Sequence, residues 1–194
     1  MRFAADFETT TTPKDCRVWA YAIASIENPE FFKFGNSLDG FMGFCKQNAF
    51  EPDFIIYFHN LKFDGEFIFN WLFRNGYTYV KTRKELAKQT FTTLIDRNKT
   101  FYSIEVCFRT KGKNRETVTF YDSLKILPFS VSTIAKGFNL PIQKLTIDYE
   151  KPRPVGYQLT PDEINYIEND VKIVAQALST LFERGLTSIT AGSN

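Results

Sequence analysis

The chain has 194 residues, 43% hydrophobic and 24% charged, a balance that excludes a disordered or fibrous protein. One ordinary domain of this size hides roughly 70% of its unfolded surface. The net charge of +2 conceals an asymmetry: residues 81–116 hold ten basic and four acidic residues, a local +6, so the rest of the chain carries −4.

Residues 2–8 read as a buried strand, 17–26 as a second and 30–34 as a third. Ser37 or Asp39 can start a helix to about Gln47, with Phe41 and Phe44 on one face. Phe54-Ile55-Ile56-Tyr57-Phe58 is a short apolar strand. Asp64 is expected to cap a helix over about 65–75, with Phe67, Trp71 and Leu72 on its apolar face and Gly76 ending it. Residues 90–96, 100–108 and 116–121 look like a meander, turning at Lys111-Gly112-Lys113-Asn114. A helix near 130–138 and an irregular stretch around Pro152 and Pro154 follow. Thr160-Pro161-Asp162-Glu163 combines a cap, a proline at the first helical position and acids. It starts a helix expected to reach about Glu183 and stop at Gly185. The order predicts one α/β domain with a mixed sheet.

Cys16, Cys45 and Cys107 form neither a disulfide framework nor a zinc spacing, and the single histidine, His59, excludes His-rich metal sites. No apolar run reaches the roughly 18 residues of a membrane span, and charges interrupt any signal-like start, so no membrane role and a reducing cytoplasm are expected. The basic segment suits a polyanion approaching a carboxylate site, and it equally fits a solvated hairpin.

Asp6 and Glu8 are two apart on the first strand and so share a face. Two carboxylates there repel each other and lose hydration unless a divalent cation binds both; an exposed strand end would also tolerate them. Asp64 follows Asn60 by four residues beyond another strand end, a place where α/β folds put sites, although capping and a turn amide account for the pair too. Tyr166 and Asp170 share a face of the last helix, beside the apolar Ile164, Ile167, Val171 and Val174. Four carboxylates with oxygen-only ligation suit Mg²⁺ or Mn²⁺, and two such ions serve phosphoryl transfer.

Asp6-Phe7-Glu8-Thr9, Asn60 with Asp64, and Tyr166 with Asp170 resemble the three motifs of proofreading 3′–5′ exonucleases with four acidic ligands and a tyrosine. The histidine branch of that family places His five residues before the last Asp; Asn165 stands there, as in the tyrosine branch. Asp15-Cys16-Arg17-Val18-Trp19-Ala20-Tyr21, Tyr57 to Gly65, Tyr121-Asp122-Ser123-Leu124-Lys125 and Arg153-Pro154-Val155-Gly156-Tyr157 extend the match. Over essentially the whole chain they are similar to the N-terminal domain of protein-primed family B DNA polymerases of small tailed phages.

The resemblance implies an RNase H-like mixed sheet flanked by helices. It implies that Asp6, Glu8, Asp64 and Asp170 hold two Mg²⁺ or Mn²⁺ ions, that Tyr166 orients the attacking water and that Lys144 is an auxiliary catalytic lysine. Thr9, His59, Asn60, Phe63, Phe67, Ser123, Leu124 and Tyr149 are implied to hold a single-stranded DNA 3′ end. Without the resemblance, His59 reads as a packed loop histidine, Phe63 and Phe67 as core and Lys144 as solvated. Thr146 stands where relatives often carry an acid. No polymerase palm motif occurs, so residues 1–194 are expected to be one exonuclease domain, without the polymerase domain. A monomer in a bacterial host cytoplasm, touching a terminal-protein primer, is the implied setting. The alternatives are a free-standing ribonuclease of this fold and a non-catalytic module that binds single strands or docks terminal protein.

Overall fold

The computed structural model describes residues 1–12, 14–96, 101–186, 188 and 190. Strand β1 (Arg2–Thr12) alternates its side chains between two cores: Phe3, Ala5 and Phe7 enter one, Ala4 the other. β1 runs beyond the expected Glu8 because Thr9–Thr12 pair with Asp15–Val18 of β2 (Asp15–Ser25), across a β-bulge at Glu8/Thr9. β3 (Phe32–Gly35) forms one sheet edge.

Helix α1 (Leu38–Asn48) starts as expected: the Ser37 hydroxyl accepts the Gly40 N–H at 3.2 Å. β4 (Ile55–Phe58) runs parallel to both β1 and β8 (Asn114–Asp122). β5 (Thr78–Tyr79), β6 (Thr90–Ile95) and β7 (Phe101–Lys111) complete an eight-stranded sheet in the order β3-β2-β1-β4-β8-β7-β6-β5. The expected meander is present, and its last hairpin is longer, paired out to Lys111 and Asn114, with Gly112 at φ 62° in the turn. Residue 100 of the expected second strand lies outside the described residues.

Helix α2 (Leu61–Arg74) corrects one expectation: Asp64 does not cap it but lies inside its first turn. The cap position is Asn60, in the left-handed conformation (φ 81°, ψ 53°), with no side-chain cap bond. Its own N–H and that of Leu61 are bound by Asp122 Oδ1, from the end of β8, at 3.1 and 3.4 Å. The buried stripe of α2 is Leu61, Gly65, Ile68 and Leu72, with Phe67 and Trp71 half-buried at its margin.

Helices α3 (Val131–Gly137) and α4 (Pro161–Glu183) cover the other face. Thr160 and Glu163 form the reciprocal capping box at the start of α4, with Pro161 following. The sheet thus lies between α1 and α2 on one side and α3 and α4 on the other, the mixed α/β architecture expected. Among the described residues no helix is long and apolar enough to cross a membrane.

Candidate active site

The carboxyl ends of the parallel strands β1, β4 and β8 lie side by side, the position at which open α/β sheets bind ligands. The last β1–β4 pair is Ala5 with Phe58. Asp6 to Thr9 therefore project past the point where β4 turns toward α2. Asp6 and Glu8 share the Ala4 face, which packs on α4, and Asp170 comes from the middle of α4. One carboxylate oxygen from each of Asp6, Glu8 and Asp170 lies within 4.8 Å of the others. Asp64, 3% exposed, stands outside that trio yet within electrostatic reach of Asp6 and Glu8.

These acids disfavour their own charge. Burial first, and Asp170 second, push Asp6 up to about 7; burial, then Asp6 and Asp170, push Glu8 up to about 8. Burial and then Asp6 hold Asp64 well above the usual carboxylate range. Asp170 is also raised, since burial outweighs the pull of Lys144, whose ammonium pairs with Asp170 Oδ2. Burial works against the charge of Lys144, but the bond and charge of Asp170 win and raise it. Two buried oxygens, Asp64 Oδ1 and Asp170 Oδ1, have no hydrogen-bond partner. Repelling carboxylates with idle lone pairs are a deficit that a divalent cation removes, and an all-oxygen set matches Mg²⁺ or Mn²⁺.

Tyr166 is buried, with its hydroxyl 2.9 Å from that of Tyr149 and within electrostatic reach of Glu8 and Asp170. Burial and then the charge of Glu8 push its ionisation far upward, so it stays a hydroxyl. A cavity of about 190 Å³ beside the acids is lined by Asp6, His59, Lys144 and Asp170 over an apolar floor that includes Val131 and Val174.

The residues expected to hold DNA differ in exposure, and of them His59 lines the cavity beside the acids. Thr9 follows the bulge on β1. Phe63 is 46% exposed and Tyr149 62%, whereas Phe67 is half-buried, its ring 5.8 Å from that of Phe63. The Asn60 side chain is exposed and Leu124 is half-buried. Ser123 is fully buried; its hydroxyl lies 3.1 Å from the Phe58 carbonyl and 3.0 Å from His59 Nδ1. His59 Nε2 lies 2.7 Å from the Phe129 carbonyl and must carry the proton there. Burial lowers the His59 pKa. In the neutral ring Nδ1 then competes with the Phe58 carbonyl for the Ser123 proton. Both nitrogens of His59 are thus spent inside the protein.

Asp122 and Arg153 lie within the motif segments, and the sequence alone assigns neither a role. Asp122 ties three backbone amides at the site. Arg153, 5% exposed, bonds Glu163 Oε1 at 3.0 Å and the Asp148 and Lys151 carbonyls, under the Trp19 ring at 4.1 Å. It anchors to α4 the irregular stretch that carries Lys144 and Tyr149. An arginine between two prolines was the available signal, since charge in such a stretch is seldom buried without a partner.

Fold and site together define an RNase H-like α/β domain with a carboxylate centre at the ends of its parallel strands. The family model described as DNA polymerase type B, organellar and viral, matches residues 46–153, and the chain belongs to that family. It is similar to the DNA polymerase of Bacillus phage PZA, 49% identical over 192 residues that cover 99% of this chain and 32% of that one. Phi29 DNA polymerase complexed with single-stranded DNA matches it with a TM-score of 0.90 at 47% identity, over 99% of this chain and 33% of that one. The post-translocation complex of the same polymerase with primer-template DNA gives 0.89 at 47% identity and the same coverage. The chain spans about a third of the length of the polymerases it matches.

Proposed function

We propose that the chain is a 3′–5′ exonuclease domain that removes nucleoside monophosphates from single-stranded DNA 3′ ends and proofreads for a protein-primed phage DNA polymerase. The observation that carries this reading is the convergence of Asp6, Glu8 and Asp170, with idle buried oxygens on Asp64 and Asp170, beside Lys144 and Tyr166. Similarity to a polymerase solved with single-stranded and primer-template DNA supports a DNA 3′ end as substrate. The same reading gives a monomer in the host cytoplasm, with a terminal-protein primer among the partners of the larger polymerase.

Asp6, Glu8, Asp64 and Asp170 would hold two Mg²⁺ or Mn²⁺ ions, and such ions supply Lewis-acid stabilisation of charge on the reacting phosphate. Tyr166 orients the attacking water through its un-ionised hydroxyl, and Glu8, whose charge reaches that hydroxyl, takes the proton. The water attacks the terminal phosphodiester, and the bond from phosphorus to the 3′ oxygen of the preceding nucleotide breaks. The Lys144 ammonium stabilises charge on the phosphate and the departing oxygen. The exposed rings of Phe63 and Tyr149 stack on bases of any sequence.

Digestion of a 5′-labelled single-stranded oligonucleotide with Mg²⁺, with Mn²⁺ and with EDTA tests the proposal. A ladder shortening from the 3′ end with either ion, absent in EDTA and absent on matched RNA, is expected. An intact oligonucleotide with both ions would overturn it.

A further inference from the structure

We propose that Asp122 is a positioning residue that locks together the two segments expected to grip the DNA 3′ end; its functional arm rests on the exonuclease reading above. Asp122 is 3% exposed, so its carboxylate has left water and must be satisfied inside the protein. A single oxygen, Oδ1, accepts three backbone N–H groups: Asn60 at 3.1 Å, Leu61 at 3.4 Å and Leu124 at 3.0 Å. Oδ2 faces Lys125 Nζ at 3.6 Å.

The three amides belong to two different segments. Those of Asn60 and Leu61 open α2, where unpaired N–H groups and the helix dipole both favour a negative charge. That of Leu124 lies in the 3-10 turn Ser123–Lys125, which follows β8. The parallel register ends on the pair Phe58 and Asp122, so the carboxylate stands beside the strand end from which α2 departs. Asn60 adopts a left-handed backbone, which asparagine tolerates better than most non-glycine residues. The Asp122 bonds to Asn60 and Leu61 hold the chain at that turn. They also replace the side-chain cap that Asn60 would otherwise make, leaving its amide free at the surface.

One carboxylate therefore fixes Asn60 and Phe63 relative to Ser123 and Leu124. The compact acid trio is carried by β1 and α4, which Asp122 does not bond. Asp64 lies in the first turn of α2, so loosening Asp122 should weaken DNA holding and Mg²⁺ half-saturation, with turnover at saturating DNA and Mg²⁺ the least affected reading.

The experiment compares wild type, Asp122→Ala and Asp122→Asn. Amide hydrogen exchange, without DNA or metal, should be at least about tenfold faster at Asn60, Leu61 and Leu124 in Asp122→Ala and unchanged at Ala22 in β2, since bonds to a charged acceptor are lost. The Kd for a single-stranded oligonucleotide in EDTA should rise about tenfold, while turnover at saturating DNA and Mg²⁺ stays within about threefold. Asp122→Asn keeps an oxygen acceptor without the charge and should fall between wild type and Asp122→Ala in both readings. If Asp122→Ala does not fold, Asp122→Asn decides, with a smaller rise in Kd expected and an unchanged Kd overturning the proposal. Unchanged exchange at the three amides, or turnover falling with Kd unaltered, would also overturn it. A wild-type protein without nuclease activity sinks the exonuclease reading alone, because the exchange and Kd arms need no turnover.

Discussion

Lys144 spends its ammonium on Asp170 Oδ2 and leaves Oδ1 of the same carboxylate without a hydrogen-bond partner. Asp170 thus faces a side-chain cation with one oxygen and holds the other in reserve. An ion entering the trio would share Asp170 with the lysine, so the two positive charges oppose each other at one carboxylate. Lys144→Ala is expected to tighten Mg²⁺ half-saturation, because a competing charge is gone. It should also slow digestion, by up to about 10²-fold, because a donor to the developing phosphate charge is lost. Initial rates across a Mg²⁺ titration check both parts; weaker half-saturation at an unchanged rate would contradict the assignment of Lys144.

The acids make a second prediction, in pH. Asp6 and Glu8 are raised from 3.8 and 4.5 to about 7 and about 8. Between the lower and upper values the folded protein binds more protons than the unfolded chain, so stability falls as pH rises through that window. In EDTA, Tm should therefore drop from about pH 5 to about pH 8, and Asp6→Asn should flatten the slope. Mg²⁺ should restore Tm most at the upper end, where the acids are ionised. Calorimetry showing a level Tm across this range in EDTA would count against mutual repulsion at the site.

Much of this arrangement was legible in the sequence where the signal was local. The capping box at Thr160 and Glu163, the alternation along β1 and the spacing of Tyr166 and Asp170 each act within a few residues, and each appears where expected. The start of α2 was not legible, because its cap is Asp122, sixty-one residues from the Leu61 amide it binds. A carboxylate on a neighbouring strand leaves no mark on the helix it caps, so Asp64 looked like the nearest candidate. Ser123 shows the same limit from the other side: its hydroxyl is absorbed by Phe58 and His59, contacts that exist only once β4 and β8 lie side by side.

Among the described residues, the basic segment includes both structural and exposed charges. Arg115 donates to the Arg83 and Lys84 carbonyls, each at 2.9 Å, and Arg109 bonds Glu116 and the Lys46 carbonyl. Lys111 and Lys113 are exposed at the hairpin tip. Lys111→Ala with Lys113→Ala should flatten the salt dependence of DNA binding by roughly 0.7 in log–log slope per lost phosphate contact, without lowering Tm. Arg115→Ala should lower Tm. An unchanged slope in the double variant would mean that the tip is merely solvated.

Arg153 joins stability to the site. Its guanidinium and the Glu163 carboxylate are both nearly inaccessible, and Tyr157, the Thr160 cap and the Lys151 ammonium, 3.5 Å from Oε1, share Glu163 with it. Removing one partner of a buried pair leaves the other charge poorly compensated, so Arg153→Met should cost up to about 3–5 kcal/mol. Urea unfolding measures that loss. Any variant that still folds should also lose rate, since Lys144 and Tyr149 ride on the stretch that Arg153 anchors. A loss below about 1 kcal/mol would show that Lys151 and Tyr157 suffice to hold Glu163.

Tyr166 gives the sharpest separation of chemistry from packing. Its ring belongs to the core beneath α4, while its hydroxyl lies 2.9 Å from that of Tyr149 and within electrostatic reach of Glu8 and Asp170. Tyr166→Phe keeps the ring and removes the hydroxyl, so the fold, Mg²⁺ half-saturation and DNA affinity should stay near wild type. If the hydroxyl orients the attacking water, the single-turnover rate should fall, by up to about 10²–10³-fold and by less where other ligands also hold that water. Tyr149→Phe removes only the outer partner of that hydroxyl and should slow the reaction less. Asp170→Ala should be the most severe of the three, because it takes away a metal ligand and the partner of Lys144 together. Single-turnover rates at saturating enzyme and several Mg²⁺ concentrations rank the variants. A Tyr166→Phe rate equal to wild type would leave Tyr166 as a packing residue and shift orientation of the water to Glu8 alone.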